Sequence, residues 1–135
     1  MERFGVTSRK TGETDVETSI LIDGDGVANL STGIGFFDHM LNLVAKHGLF
    51  DINVDCQGDL EVDAHHSVED VGICFGQAIK KALGNKAGIK RYGNFTVVMD
   101  EALATVKMCI RDRLFILQMI RHAAPCQNAS NECKR

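Results

Sequence analysis

The chain has 135 residues, 44% of them hydrophobic and 24% charged, which is close to globular averages and suits one soluble domain with an adequate core. A formal charge of −3 gives no general basic field, so neither nucleic acid nor an anionic membrane is expected as a partner, and any anionic substrate must be met by local cations. No apolar run approaches the roughly 18 residues of a membrane span, and Met1-Glu2-Arg3-Phe4 lacks the apolar core of a signal peptide, so the expected compartment is cytoplasmic.

In chain order, residues 4–9 and 14–22 read as strands, with Val16, Thr18, Ile20 and Ile22 alternating against Glu17, Ser19 and Leu21 and the turn Lys10-Thr11-Gly12-Glu13 between them. Asp23-Gly24-Asp25-Gly26 is a turn of the kind that joins hairpin strands, so a third strand is expected around 27–30 and the start of the chain reads as a small antiparallel sheet. After Gly33 and Gly35, the residues Phe36, Phe37, Met40, Leu41, Val44 and Ala45 are spaced as the apolar face of a helix ending near Gly48. Strands are predicted over 50–57 and 59–63, turning at Gly58. A second helix over 67–83 is expected to bury Val68, Val71, Phe75, Ile79 and Leu83 and to stop at Gly84, with strands returning at 94–99 and 102–106.

The most chemically loaded stretch is Asp63-Ala64-His65-His66-Ser67-Val68-Glu69-Asp70. With a helix starting at Ser67, His66, Glu69 and Asp70 fall at spacings of three and four and share a face, while His65 points elsewhere; one octapeptide could serve two metal ions. Imidazole with carboxylate suits manganese, iron, cobalt, nickel or zinc, and no thiolate lies close by. The bland alternative is a helix N-terminus in which Ser67 caps and Asp70 answers it, with solvated histidines. On the first helix, His39 and His47 lie near one azimuth and could line a wall, and Asp38 could orient His39. Lys90 and Arg91, between Gly88 and Gly93, could hold a phosphate or carboxylate, or be a solvated basic turn. Glu13 stands at a loop tip, where function and tolerated charge both concentrate. Cys56, Cys74, Cys109, Cys126 and Cys133 are odd in number and scattered, as in a reduced protein, and Cys56 and Cys74 sit among apolar residues as buried thiols do.

Seven blocks follow the order and spacing of one family. They are Thr11-Gly12-Glu13-Thr14, the run Thr32-Gly33-Ile34-Gly35-Phe36-Phe37-Asp38-His39-Met40-Leu41, Lys46-His47-Gly48, Gly58-Asp59-Leu60, the octapeptide from Asp63 to Asp70, Gly88-Ile89-Lys90-Arg91-Tyr92-Gly93 and Met99-Asp100-Glu101-Ala102. Over about residues 3–106 the chain resembles imidazoleglycerol-phosphate dehydratase. The resemblance implies metal-dependent dehydration of D-erythro-imidazole glycerol phosphate to imidazole acetol phosphate in L-histidine biosynthesis, with the substrate's imidazole ring as electron sink. It implies Mn2+ as cofactor, two ions per site, with other divalent first-row metals possible, and self-association into octahedral oligomers of twenty-four chains. The implied fold class is α+β, a ribosomal protein S5 domain 2-like half in which a small, mostly antiparallel sheet carries two helices on one face. By the same resemblance, His39, His65, His66 and Glu69 are metal ligands drawn partly from neighbouring subunits, and Glu13 is the catalytic acid/base and contacts substrate. Arg91 binds the substrate phosphate, His47 lines the same pocket, and Asp100 and Glu101 are structural.

The chain also departs from that family. Members run to nearly twice this length, and their second repeat carries another His-His-x-x-Glu block, further ligands, a second phosphate-binding arginine and a Ser-Lys pair, so residues 1–106 are expected to be the N-terminal part of such a protein in truncated form. Met108-Cys109-Ile110-Arg111-Asp112-Arg113 reads like a translated transposon-adapter sequence, so 107–135 is expected to be a non-family tail. That tail is an artefact in which Cys109, His122, Cys126 and Cys133 carry no function, or a disordered or short helical segment around Leu114, Phe115, Leu117, Met119 and Ile120. The competing functional reading is a metal-binding module that self-associates through an exposed sheet edge and half-covered apolar faces, without enzymatic activity.

Overall fold

The computed structural model describes residues 2–99, 102–109 and 114–121, which fall into two compact units divided between Ala87 and Gly88. Asp100, Glu101, His122, Cys126 and Cys133 lie outside the described residues.

In the first unit the elements run β1 (Phe4–Lys10), β2 (Thr14–Leu21), β3 (Ala28–Ser31), α1 (Gly35–Gly48), β4 (Asp51–Gly58) and α2 (His65–Leu83). The four strands form one sheet in the order β1-β2-β4-β3. Strict alternation in β2 turns Thr14, Val16, Thr18 and Ile20 inward, and antiparallel pairing sets Val16 against Cys56, Thr18 against Val54 and Ile20 against Ile52. Leu41 and Ala45 of α1 and Val71, Cys74, Ala78 and Ala82 of α2 join those residues in one buried cluster, so both helices cover the same face of the sheet. Each large aliphatic side chain buried there contributes about 1.5–3 kcal/mol. The fold class is the expected α+β arrangement, mostly antiparallel with two helices on one face.

Several local expectations are corrected. The turn at Asp23–Gly26 does not make a hairpin; β4 lies between β2 and β3, and β3 pairs with β4 in parallel, Leu30 opposite Val54, after the chain crosses over through α1. The cause is Asp51, whose Oδ1 accepts the amides of Asp25 and Val27 at 2.9 Å each and fixes the loop against the start of β4. Residues 59–63 form turns rather than a strand. Helix α2 starts at His65, two residues early, because Asp63 Oδ1 accepts the His65 amide at 2.8 Å. Its buried stripe is Ser67, Asp70, Val71, Cys74, Ala78 and Ala82, whereas Val68 is exposed and Phe75 and Ile79 are only partly covered. Small residues fill that stripe because α2 lies very close to β1: a Cβ on Gly5 would stand 2.1 Å from the Ala78 carbonyl oxygen. On α1, Leu41 and Ala45 are buried while Phe36, Met40 and Val44 face outward.

The second unit holds β5 (Tyr92–Met99), β6 (Ala102–Cys109) and β7 (Leu114–Arg121), an antiparallel sheet in that order with Phe95 opposite Val106 and Val106 opposite Leu117. Segment 114–121 is therefore a strand, not a disordered or helical tail, since its backbone completes the free edge of β6. Strand β6 also runs through the expected boundary at Val106.

Candidate functional site

The β1–β2 turn and the first turn of α2 face each other across a recess of about 200 Å³ lined by Arg9, Thr11, Glu13, His66, Glu69 and Asp70. The turn is built by Thr11. Its amide donates to the Thr14 carbonyl at 2.9 Å, and its hydroxyl oxygen accepts the amides of Glu13 at 3.2 Å and Thr14 at 3.0 Å. This presents the Glu13 side chain, which is exposed, beside α2.

On α2, His65 Nε2 lies 3.5 Å from Glu69 Oε2, an i,i+4 pair on one helical face. His66 turns the other way, its ring 65° from that of His65 at a centroid distance of 5.9 Å. The His66 Nδ1–H donates to the Asp59 carboxylate, 3.0 Å from Oδ2 and 3.2 Å from Oδ1, and this bond raises the His66 pKa above the ordinary histidine range, with Asp59, Glu13 and Glu69 charges acting in the same direction. Asp59 in turn donates its amide to the Glu13 carbonyl at 3.1 Å. The recess thus combines an acid at a turn tip with an imidazole whose Nδ1 is committed and whose Nε2 is left to act as donor or ligand.

Glu13, His66 and Glu69 line one recess, but the face expected from the spacing is corrected: His65, not His66, pairs with Glu69, His66 turns to Asp59, and Asp70 turns inward to Arg9 and Thr14. His39 and His47 are exposed on α1 and do not line the recess. Asp38 does not orient His39; its Oδ1 accepts the Thr32 hydroxyl at 2.7 Å and the Thr32 amide at 3.1 Å, closing the loop before α1. Arg91 belongs to the second unit, its guanidinium 5.3 Å from the centre of the Tyr92 ring. Ser67 does not cap α2 and Asp70 does not answer it: Ser67 is buried, and Asp70 turns to Arg9 and Thr14. Arg9, Thr11, Thr14 and Asp59 are parts of the site to which the residue pattern assigned no role, and Asp70 takes a different role from the metal-facing or capping one expected. The available signal was Thr14, one of two threonines on the inward phase of β2, a polar group whose burial is favoured by a partner.

Among the described residues, no group of three or more His, Cys, Asp or Glu side chains is placed to hold a metal ion. The expected ligands do not converge within one chain: His65 and Glu69 form a pair, His66 stands apart with Asp59 behind it, and His39 is on the other helix. The donor chemistry still fits a divalent first-row ion. An i,i+4 imidazole–carboxylate pair can bind one ion in two places, and a carboxylate on His Nδ1 is the usual support for a ligating Nε2. These are partial donor sets.

Comparison with known proteins is consistent across sequence and structure. The family model described as imidazoleglycerol-phosphate dehydratase matches residues 32–131, continuing past Val106. The imidazoleglycerol-phosphate dehydratase of Acetivibrio thermocellus is 62% identical over 117 residues, 87% of this chain and 60% of that protein. That of Clostridium kluyveri is 56% identical over 115 residues, 85% of this chain and 59% of the other. Among solved structures, imidazoleglycerol-phosphate dehydratase from Staphylococcus aureus subsp. aureus N315 matches with a TM-score of 0.65 at 34% identity, covering 77% of this chain and 56% of that one. The enzyme from Pyrococcus furiosus in complex with (S)-C348 matches with a TM-score of 0.64 at 31% identity, covering 78% and 55%. The chain spans about 60% of the length of the curated relatives it matches.

Proposed function

This chain belongs to the imidazoleglycerol-phosphate dehydratase family, and from that premise we propose that it takes part in the metal-dependent dehydration of D-erythro-imidazole glycerol phosphate in L-histidine biosynthesis. The observation that carries the reading is the meeting of Glu13 with His66 and Glu69 at one recess, held by the Asp59 link between the turn and the helix. The His65–Glu69 pair, His66, and His39 on α1 would each serve as a partial donor set for Mn2+ or another divalent first-row ion, completed by donors from another protomer or from sequence outside the described residues. A divalent ion held there would supply Lewis-acid polarisation, lowering the pKa of a substrate N–H group.

The residues do the rest. Glu13 is the general acid/base: on the turn tip its carboxylate reaches the substrate side chain, removes a carbon-bound proton and returns a proton to the departing hydroxyl. Asp59 holds the His66 ring through Nδ1, which leaves Nε2 as the nitrogen for ligation. Arg91, through charge-assisted bonds to phosphate, and His47 would hold the phosphorylated substrate where another protomer brings them to the recess, since His47 does not line it in this chain and Arg91 belongs to the second unit.

The test is a manganese titration of the purified chain followed by a dehydratase assay on imidazole glycerol phosphate, with Glu13→Gln as control. Turnover that falls at least about 100-fold in Glu13→Gln, with metal binding retained, supports the reading. Metal binding without turnover favours the second reading, a self-associating metal-binding module, which is supported by the outward-facing Phe36, Met40 and Val44 on α1.

A further inference from the structure

We propose that Asp70 is a positioning residue for Glu13, the hub through which helix α2 sets the β1–β2 turn; this rests on the reading of Glu13 as the reacting acid. Asp70 follows Glu69 in the helix but points away from it, into the protein, and only 7% of it is exposed. Both carboxylate oxygens are used. Arg9 Nε donates to Oδ1 at 2.7 Å, while the Thr14 hydroxyl donates to Oδ2 at 2.5 Å and the Thr11 hydroxyl lies 3.4 Å from the same oxygen. These three partners come from the end of β1, the turn and the start of β2, on both sides of Glu13.

Thr11 passes the constraint on, since the oxygen that approaches Asp70 also accepts the Glu13 and Thr14 amides. The Glu13 carbonyl then takes the Asp59 amide, and the Asp59 carboxylate holds His66, four residues before Asp70 on the same helix. The polar circuit closes on itself: Asp70, Thr14 and Thr11, Glu13, Asp59, His66, and back along one helical turn. Burying a carboxylate is costly, and an apolar side chain would fill this place on the stripe more cheaply if only packing were at stake. What the charge adds is a fixed register between the turn that carries Glu13 and the helix that carries His65, His66 and Glu69. Arg9 keeps that buried charge paired.

The test uses the full 135-residue chain with amide hydrogen exchange read at Asp59, whose N–H reports on where the Glu13 backbone sits and makes no contact with Asp70. Asp70→Asn and Thr14→Val are each expected to speed Asp59 exchange by about tenfold or more, while Thr14→Ser, which keeps the hydroxyl, stays within about threefold of the parent. The Ile52 amide, which donates to the Val27 carbonyl at 2.8 Å, is the control for the sheet and stays protected. In the manganese-loaded chain, Asp70→Asn is expected to lower kcat by about tenfold or more with KM changed by less than about threefold, the pattern of a misplaced acid. Unchanged Asp59 exchange in both Asp70→Asn and Thr14→Val overturns the proposal. So does loss of Ile52 protection in both, because Asp70 would then hold the whole sheet. If the parent chain shows no turnover, the dehydratase reading fails separately, and the exchange result still decides the role of Asp70.

Discussion

The Asp59 carboxylate takes the Nδ1–H of His66 at 3.0 Å, which commits that ring to one tautomer and raises its pKa. The stability gained from this pair is present in full below the ordinary histidine pKa of about 6.5 and is lost as pH rises through the higher value in the folded chain. Asp59→Asn is expected to bring the His66 titration back toward the ordinary range, followed by the ring proton shifts of the metal-free protein. A midpoint that does not fall would mean that Glu13 and Glu69, not Asp59, set the charge on that ring.

Asp70 shifts in the opposite sense. The Thr14 hydroxyl, followed by the Arg9 guanidinium, holds its carboxyl below the usual range, so its contribution is present above the unfolded aspartate pKa of about 3.9 and disappears as pH falls toward the folded value. Asp70→Asn should therefore cost about 1.5–3 kcal/mol at neutral pH and progressively less in acid. Urea unfolding of the two proteins between pH 7 and about pH 3 would trace the converging curves.

Gly5 is a packing requirement. A methyl group there would meet the Ala78 carbonyl oxygen at 2.1 Å and the Ala82 nitrogen at 2.8 Å, both backbone atoms of α2. Gly5→Ala is expected to lower stability by about 1–3 kcal/mol, read as a lower urea midpoint at unchanged slope. Gly12→Ala, where nothing lies within 4 Å of the added carbon, should stay within about 0.5 kcal/mol.

The paired donors predict linkage between metal and stability. Manganese at about a hundred times its dissociation constant should stabilise the chain by about 2.7 kcal/mol, and a chelator should remove the gain. Glu69→Gln is expected to weaken manganese binding by at least about tenfold, as is His65→Ala, because each leaves its i,i+4 partner alone. Calorimetric scans at fixed manganese would register equal Tm gains for parent and variants if these side chains were not ligands.

Much of this was legible in the residues. The alternation of Val16, Thr18 and Ile20 gave β2 its inward face, and the motif blocks contain Glu13, His66 and Glu69, which line one recess. What was misread depended on partners distant in the chain. Asp23–Gly26 has the composition of a hairpin turn, yet its shape is set by Asp51, about two dozen residues on, and β4 takes the place beside β2 that a hairpin would have filled. Asp70 carried a local explanation as a helix-start residue, while its actual partners, Arg9 and Thr14, lie 61 and 56 positions away. On α2, small residues outrank larger ones in burial because Gly5 lets the helix come close, which no helical periodicity encodes.

The alternation in β2 has an evolutionary corollary. Glu17 and Ser19 line the open side of the sheet with Asn29, Asn53 and Asp55, and exchanging them leaves the core untouched. Adding or deleting one residue between Thr14 and Ile20 would instead send Glu17 and Ser19 inward and turn aliphatic side chains to water along the strand. The segment should thus accept point changes on one side freely while its length stays fixed, a boundary condition for any insertion used to tag or split this protein.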